Sequence, residues 1–242
     1  MQLYIVTGAS RGLGWNLAQL IARKPEAALL AISRSGLPRP LERAEDVRCD
    51  LASPDGQRTA AGAIGKKLGE AAWGKAVLIN NAGIAEPARA VEHYDHRELT
   101  YNISLNLIAP IALMQAFLAA SDKIPERTII NISSGAGRQP RFGWTAYCST
   151  KAGLDMASQV VALEARTKGI PLRVTSLAPG VMDTAMQDEV RGKSPEEFPD
   201  VERFRKLKAR GELNKPEDVA ARILSLEQAG RLPEGLADLR DL

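Results

Sequence analysis

Only two cysteines, Cys49 and Cys148, occur in the 242 residues, far apart and without metal-ligand spacing. That argues against a disulfide framework or a thiolate metal centre, no metal is expected, and the usage fits a reducing cytoplasm. No uninterrupted apolar run approaches the roughly 18 residues of a membrane span, so no membrane association is expected. The opening MQLYIVTG enters a strand pattern directly, without the basic and apolar regions of a secretory leader. No block of like charge occurs either. The 32 basic and 29 acidic residues leave a net +3, too small and too dispersed to suggest nucleic acid, while a local basic pocket remains compatible with it. Repeats and low-complexity tracts are missing. What is present is an ordinary globular balance, 45% hydrophobic and 25% charged, sized for one large domain or two small ones.

Short apolar runs alternate with longer helical patterns. LYIVTG (3–8), ALLAIS (28–33), AVLINNAG (76–83), RTIINISS (127–134) and LRVTSLAPG (172–180) are nearly continuous in Ile, Val and Leu. Strands of a parallel sheet covered on both faces read this way. Helices are predicted at 13–24, 55–72, 95–120, 147–168 and 216–229, the last opened by Pro216 and followed by acids. The alternation predicts right-handed βαβ crossovers and an α/β, doubly wound parallel sheet. Residues 183–215 break the rhythm with a charged, proline-containing stretch between a strand and a helix. Its placement past a strand's carboxyl end suits a lid over a ligand crevice; the alternative is a plain surface excursion.

The first strand ends in VTGASRGLG. Glycine there permits a tight turn and lets the backbone approach a pyrophosphate at a helix amino terminus. The candidate contacts are Gly8, Ser10, Arg11, Gly12, Leu13 and Gly14, although the spacing G-x-x-x-G-x-G departs from the common dinucleotide fingerprint. At the end of the second strand, an acid would accept from a ribose 2′-hydroxyl and repel a 2′-phosphate. The chain has Ser33 and Arg34 instead, and Arg11 lies in the glycine loop. Two guanidinium groups can clamp a phosphate, which favours NADP(H) over NAD; two ordinary surface arginines are the alternative.

GWTAYCSTK (143–151) places Tyr147 four residues before Lys151, on one face of a predicted helix. An ammonium beside a phenol favours phenolate and lowers a pKa of about 10, whereas burial raises it. A phenol brought near working pH can deliver a proton to a developing alkoxide. The same spacing also occurs as a solvated surface pair.

Seven segments in order resolve that choice: TGASRGLG (7–14), CDL (49–51), NNAG (80–83), NISLNLIAP (102–110), NISSGAG (131–137), YCSTK (147–151) and APG (178–180). Together they identify the chain as resembling the short-chain dehydrogenase/reductase family, of the single-domain type, along essentially its whole length. The resemblance implies one Rossmann domain over 1–242. It makes Tyr147 the acid/base residue and Lys151 its partner and ribose anchor. The family serine, thirteen residues before the tyrosine, becomes Ser134 rather than Ser133. Asn106 becomes the asparagine of the proton relay, with Asn102 second. Asp50 and Leu51 are implied near the adenine and Asn80, Asn81, Ala82 and Gly83 near its ribose, the last four with a structural turn as the alternative role. Pro179, Gly180, Val181 and Thr184 are implied near the nicotinamide carboxamide and the phosphates.

The catalytic and lid segments resemble the sepiapterin-reductase-like branch, implying NADPH-dependent reduction of a ketone or a benzil-like or sepiapterin-like α-diketone to a secondary alcohol. Phe142, Trp144, Met182 and Met186 are candidate pocket residues, or else they pack the lid's underside. Asp183 and Asp188 are candidates for the acid that holds a pterin. A generic ketone or 3-oxoacyl reductase is the alternative substrate reading. A non-catalytic dinucleotide sensor is the alternative class, opposed by the presence of all four catalytic positions. The family pairs subunits through the helices here at 95–120 and 147–168, so a homodimer is expected.

Overall fold

The computed structural model describes residues 1–242 and gathers them around one seven-stranded sheet. The strands are β1 (Gln2–Thr7), β2 (Ala27–Ser33), β3 (Ala44–Arg48), β4 (Lys75–Asn80), β5 (Glu126–Ile132), β6 (Leu172–Ala178) and β7 (Gly235–Asp238). All pair in parallel, in the order β3-β2-β1-β4-β5-β6-β7. Parallel pairing needs crossovers and covers both faces, which explains why every residue of β2 is buried. Alternation along β1 divides the interior: Tyr4 and Val6 enter one core, Leu3 and Ile5 the other. The first core is roofed by α1 (Gly12–Ala22) and α8 (Pro216–Gln228). The second lies under α2 (Pro54–Gly69), α4 (Ala109–Ala120) and α5 (Thr145–Thr167). The direction of strand succession reverses between β1 and β4, opening a crevice at their carboxyl ends.

Two strands were not legible as strands. β3 reads AEDVR and lies at the sheet edge, where charged residues deter further pairing; its polarity conceals it. β7 has four residues, GLAD, too few for a period. Both extend the predicted sheet without altering its class.

The predicted helix at 95–120 begins as α3 (His96–Ile103), opened by a capping box between Asp95 and Glu98. It then widens to a π-turn over Ser104–Ile108 and continues as α4. Such turns concentrate at functional sites, and this one carries Asn106. Although its apolar residues are interrupted, the continuous helix His96–Ala120 is long and apolar enough to match a membrane span. Here it packs within the α/β shell, with Phe117 and Met114 in the second core.

The stretch 183–215 is closed at its base, where Asp183 N donates to Asn214 O (2.9 Å) and Asn214 N to Val181 O (3.0 Å). Between these points lie α6 (Ala185–Arg191) and α7 (Val201–Ala209). They form a third, smaller core with Trp144 and Tyr147 through Val190, Phe198, Val201 and Phe204.

Candidate active site

A cavity of about 730 Å³ runs along the carboxyl ends of the strands from the glycine loop to the segment 183–215. Gly8, Ser10, Arg11, Gly12 and Leu13 line its first end. α1 starts there with no side chain capping its amino terminus, leaving its first N–H groups available to an anion. Asn81 braces the loop by donating Nδ2 to Thr7 O (2.9 Å) and Gly8 O (3.3 Å). Asp50 accepts from Ala52 N (3.0 Å) and from the Tyr101 hydroxyl (3.3 Å), which itself accepts from Arg34 Nη1 (3.0 Å). Leu51, Ala82, Gly83, Ser33 and Arg34 complete this half of the lining, and the buried Ser33 hydroxyl has no partner. Arg11 meets only Glu189 of α6, at 3.7 Å between two exposed side chains, a pair easily exchanged for another anion. Glycine cradle, open helix terminus, orphan hydroxyl and two exposed guanidinium groups fit a dinucleotide.

Midway stand Ser134, Tyr147 and Lys151. Tyr147 is 8% exposed, and burial pushes its phenol above the ordinary tyrosine range, against a hydrogen bond with Ser134 that favours ionisation. Lys151 Nζ donates to Ile132 O (2.8 Å) and lies 5.7 Å from the centre of the Tyr147 ring. Burial pulls this ammonium down to about 8, with the Asp155 carboxylate acting in the opposite direction. The expected depression of the phenol by its neighbouring cation is therefore not in place in the chain alone: the buried ammonium turns to a backbone carbonyl. A phenol that keeps its proton is nonetheless a proton donor. Asn106 lies beneath the cavity, its amide committed to both backbone groups of Ile84 (2.8 and 3.0 Å). Asn102 sits beside it, accepting from Asn106 Nδ2 at 3.1 Å.

Beyond Tyr147 the lining includes the apolar Trp144, Val181, Met182, Met186 and Phe204, with Gln139, Arg141, Gln187 and Arg203 among them. The Trp144 ring lies 5.2 Å from Tyr147, 5.0 Å from Phe198 and 5.5 Å from Phe204. Pro179, Gly180 and Thr184 join the two halves, Thr184 facing Gly12 across the crevice. Such an arrangement can hold a dinucleotide beside a flat apolar substrate, with a phenol at the junction.

Residues 2–195 match the family model described as short chain dehydrogenase. The chain belongs to the short-chain dehydrogenase family. It is 35% identical to a benzil reductase ((S)-benzoin forming) of Bacillus subtilis, over 100% of this chain and 99% of the relative. It is 34% identical to the sepiapterin reductase of Bos taurus, over 96% and 92% of the two chains. A short-chain dehydrogenase/reductase structure from Saccharomyces cerevisiae superposes with a TM-score of 0.83 at 23% identity, covering 99% and 96%. The chain is thus an oxidoreductase for carbonyl or alcohol groups that works with a nicotinamide cofactor.

Within this short-chain dehydrogenase, four predicted site residues do not line the cavity: Asn106 beneath it, and Phe142, Asn80 and Gly14. Phe142 is 53% exposed on the outside, because Gly143 at φ 75° turns it away from Trp144. Asn80 is buried in the sheet, donating to Asn131 Oδ1 at 2.8 Å, so the first residue of NNAG joins strands instead of meeting ligand. Gly14 is a packing residue: a Cβ there would lie 2.2 Å from Gly8 O. Asp183 is paired with Lys208 and Arg191, and Asp188 with Arg191, so neither acid faces the cavity. Tyr101, Arg138, Asp238 and Arg240 line it without having been foreseen. Asp238 ends the unrecognised β7 and Arg240 follows it, and Tyr101 lies on α3 just before the π-turn.

Proposed function

We propose that the protein is an NADPH-dependent carbonyl reductase that reduces one carbonyl of an aromatic α-diketone, benzil-like in shape, to a secondary alcohol. The observation that carries this reading is the junction of a buried Tyr147 with a cavity wall of Trp144, Phe204 and Met186. Flat, weakly polar substrates suit such a wall. The full-length similarity to benzil reductase supports it. The glycine loop and the Pro179–Gly180 turn would hold a nicotinamide cofactor, which would supply the hydride. Tyr147 then donates its proton to the carbonyl oxygen. Ser134 donates a hydrogen bond to that oxygen as charge develops. Lys151 favours the resulting phenolate, and the π-turn around Asn106 braces the surrounding backbone.

Arg34, steadied by Tyr101, and the exposed Arg11 support NADPH over NADH. Purified protein mixed with benzil is expected to consume NADPH faster than NADH, and Arg34→Asp is expected to shift the ratio of kcat/KM toward NADH by about tenfold or more. A parent enzyme inactive with benzil and a panel of related diketones would sink the substrate reading. An unchanged cofactor ratio in the variant would remove the clamp.

A homodimer is part of the same proposal. Ile108 and Ile111 on the continuous helix, with Met156, Val160 and Leu163 on α5, leave large apolar side chains exposed. The three on α5 recur at helical spacing and form a stripe that a second copy can cover. Leu163→Glu is expected to convert the parent dimer to a monomer in light scattering; a monomeric parent contradicts it.

A further inference from the structure

The geometry points to Asp155 as a positioning residue that sustains the Lys151 ammonium and ties its helix to the strands flooring the substrate half. On α5, Tyr147, Lys151 and Asp155 stand at i, i+4 and i+8, so a phenol, an ammonium and a carboxylate share one face. All three are buried, Asp155 to 4% exposure. A buried carboxylate carries a desolvation cost that has to be met by partners. Asp155 has two: Ser176 Oγ donates to Oδ1 at 2.6 Å, and Arg138 Nε donates to Oδ2 at 3.3 Å. Arg138 Nη2 also donates to Ser176 O (3.3 Å) and Ala237 O (3.0 Å). One carboxylate thereby links α5, the Ser134 turn, β6 and β7.

Packing alone does not account for its position. The Lys151 ammonium donates to a single neutral carbonyl, Ile132 O. Tyr147 and Asp155 share its face of α5, Asn106 Oδ1 faces Gly83 beside it, Ser134 and Arg138 line the same cavity, and Ser176 of β6 bonds Asp155. β7 adds Asp238, already clamped by Arg240 through Nε at 2.8 Å and Nη2 at 2.6 Å. Asp155 is thus the carboxylate on the ammonium's own helix face, and Arg138, bonded to it at 3.3 Å, is the cation that offsets its charge. Removing Asp155 should leave Lys151 losing its proton at lower pH; removing Arg138 should do the reverse.

The test uses the full chain and two variants of opposite sign. Lys151 is titrated by NMR on isotope-labelled lysine, and the alkaline limb of kcat/KM for diketone reduction is followed in parallel. Asp155→Asn keeps the shape and can still accept from Ser176 through Oδ1, while its Nδ2 replaces the oxygen that accepts from Arg138. It should move both midpoints to lower pH by roughly one unit, and Arg138→Gln should move them upward. Ser176→Ala, which removes a hydrogen bond and no charge, should lower the melting temperature and leave the midpoints in place. Midpoints unmoved in Asp155→Asn, or moved the same way in both charge variants, would reduce Asp155 to a structural tie. If Asp155→Asn does not fold, an unmoved or downward midpoint in Arg138→Gln has that same meaning. The inference rests on the reading of Tyr147 and Lys151 as the acid pair. Failure of that reading is distinguishable, because Tyr147→Phe would then still turn over, whereas failure of the Asp155 role leaves that variant inactive.

Discussion

A Tyr147→Phe enzyme is expected to reduce its carbonyl substrate, benzil under the proposed reading, about 10²–10⁴-fold more slowly than the parent while still binding the nicotinamide cofactor. The substitution removes one hydroxyl and leaves the ring. That ring is 8% exposed and packs 5.2 Å from Trp144, contacts a phenylalanine keeps. What is lost is the proton donor and its hydrogen bond with Ser134. Stopped-flow reduction and fluorescence titration with NADPH separate the two effects: the chemical step collapses and the dissociation constant stays near the parent's. Burial raises the parent phenol above the ordinary tyrosine range, so it keeps its proton through neutral pH, and the alkaline decline of reduction is expected to follow loss of the Lys151 proton. Turnover retained in the variant would mean that another group supplies the proton.

Gly14→Ala is expected to damage the fold itself. The added Cβ would lie 2.2 Å from Gly8 O and 2.5 Å from Asn81 Nδ2, so the obstacles are a backbone carbonyl and the amide that braces it. Relief requires α1 to withdraw from the loop, at about 3 kcal/mol and a fall of roughly 6–12 °C in melting temperature. Cofactor affinity falls with it, since the displaced loop is the cradle. Gly12→Ala is the informative contrast. There the nearest atom is Thr184 Cγ2 at 3.5 Å, and the strain comes from φ 55°, about 1–2 kcal/mol. Calorimetry should therefore rank Gly14→Ala below Gly12→Ala, and a parent-like melting temperature for Gly14→Ala would contradict the packing role.

The contrast also marks what a sequence can disclose. The buried strands, the helices between them and the order of motifs were legible because each is a local pattern. Tyr147, Ser134 and Lys151 meet in one cavity because each lies at the carboxyl end of its strand or on the first turns of the following helix. Gly14 and Asn80 belong to the right motifs, but only the crossing of chain segments distinguishes a lining residue from a packing one. Phe142 and Trp144 are alike in sequence and opposite in direction, and the backbone angle of Gly143 decides which enters. Tyr101, Asp238 and Arg240 lie at or beside a widened helical turn and a four-residue strand, and neither leaves a period to detect.

Trp144 has a consequence beyond the wall it provides. The same ring closes the substrate half and supports Phe198 and Phe204, on which the segment over the cavity rests. Substrate scope and folding stability are therefore written into one side chain. A lineage that trims it to admit a bulkier ketone also removes the pillar beneath its own roof. Met182, which lines the same cavity but packs outside that aromatic cluster, is a flexible side chain that can yield space without bringing the covering segment down.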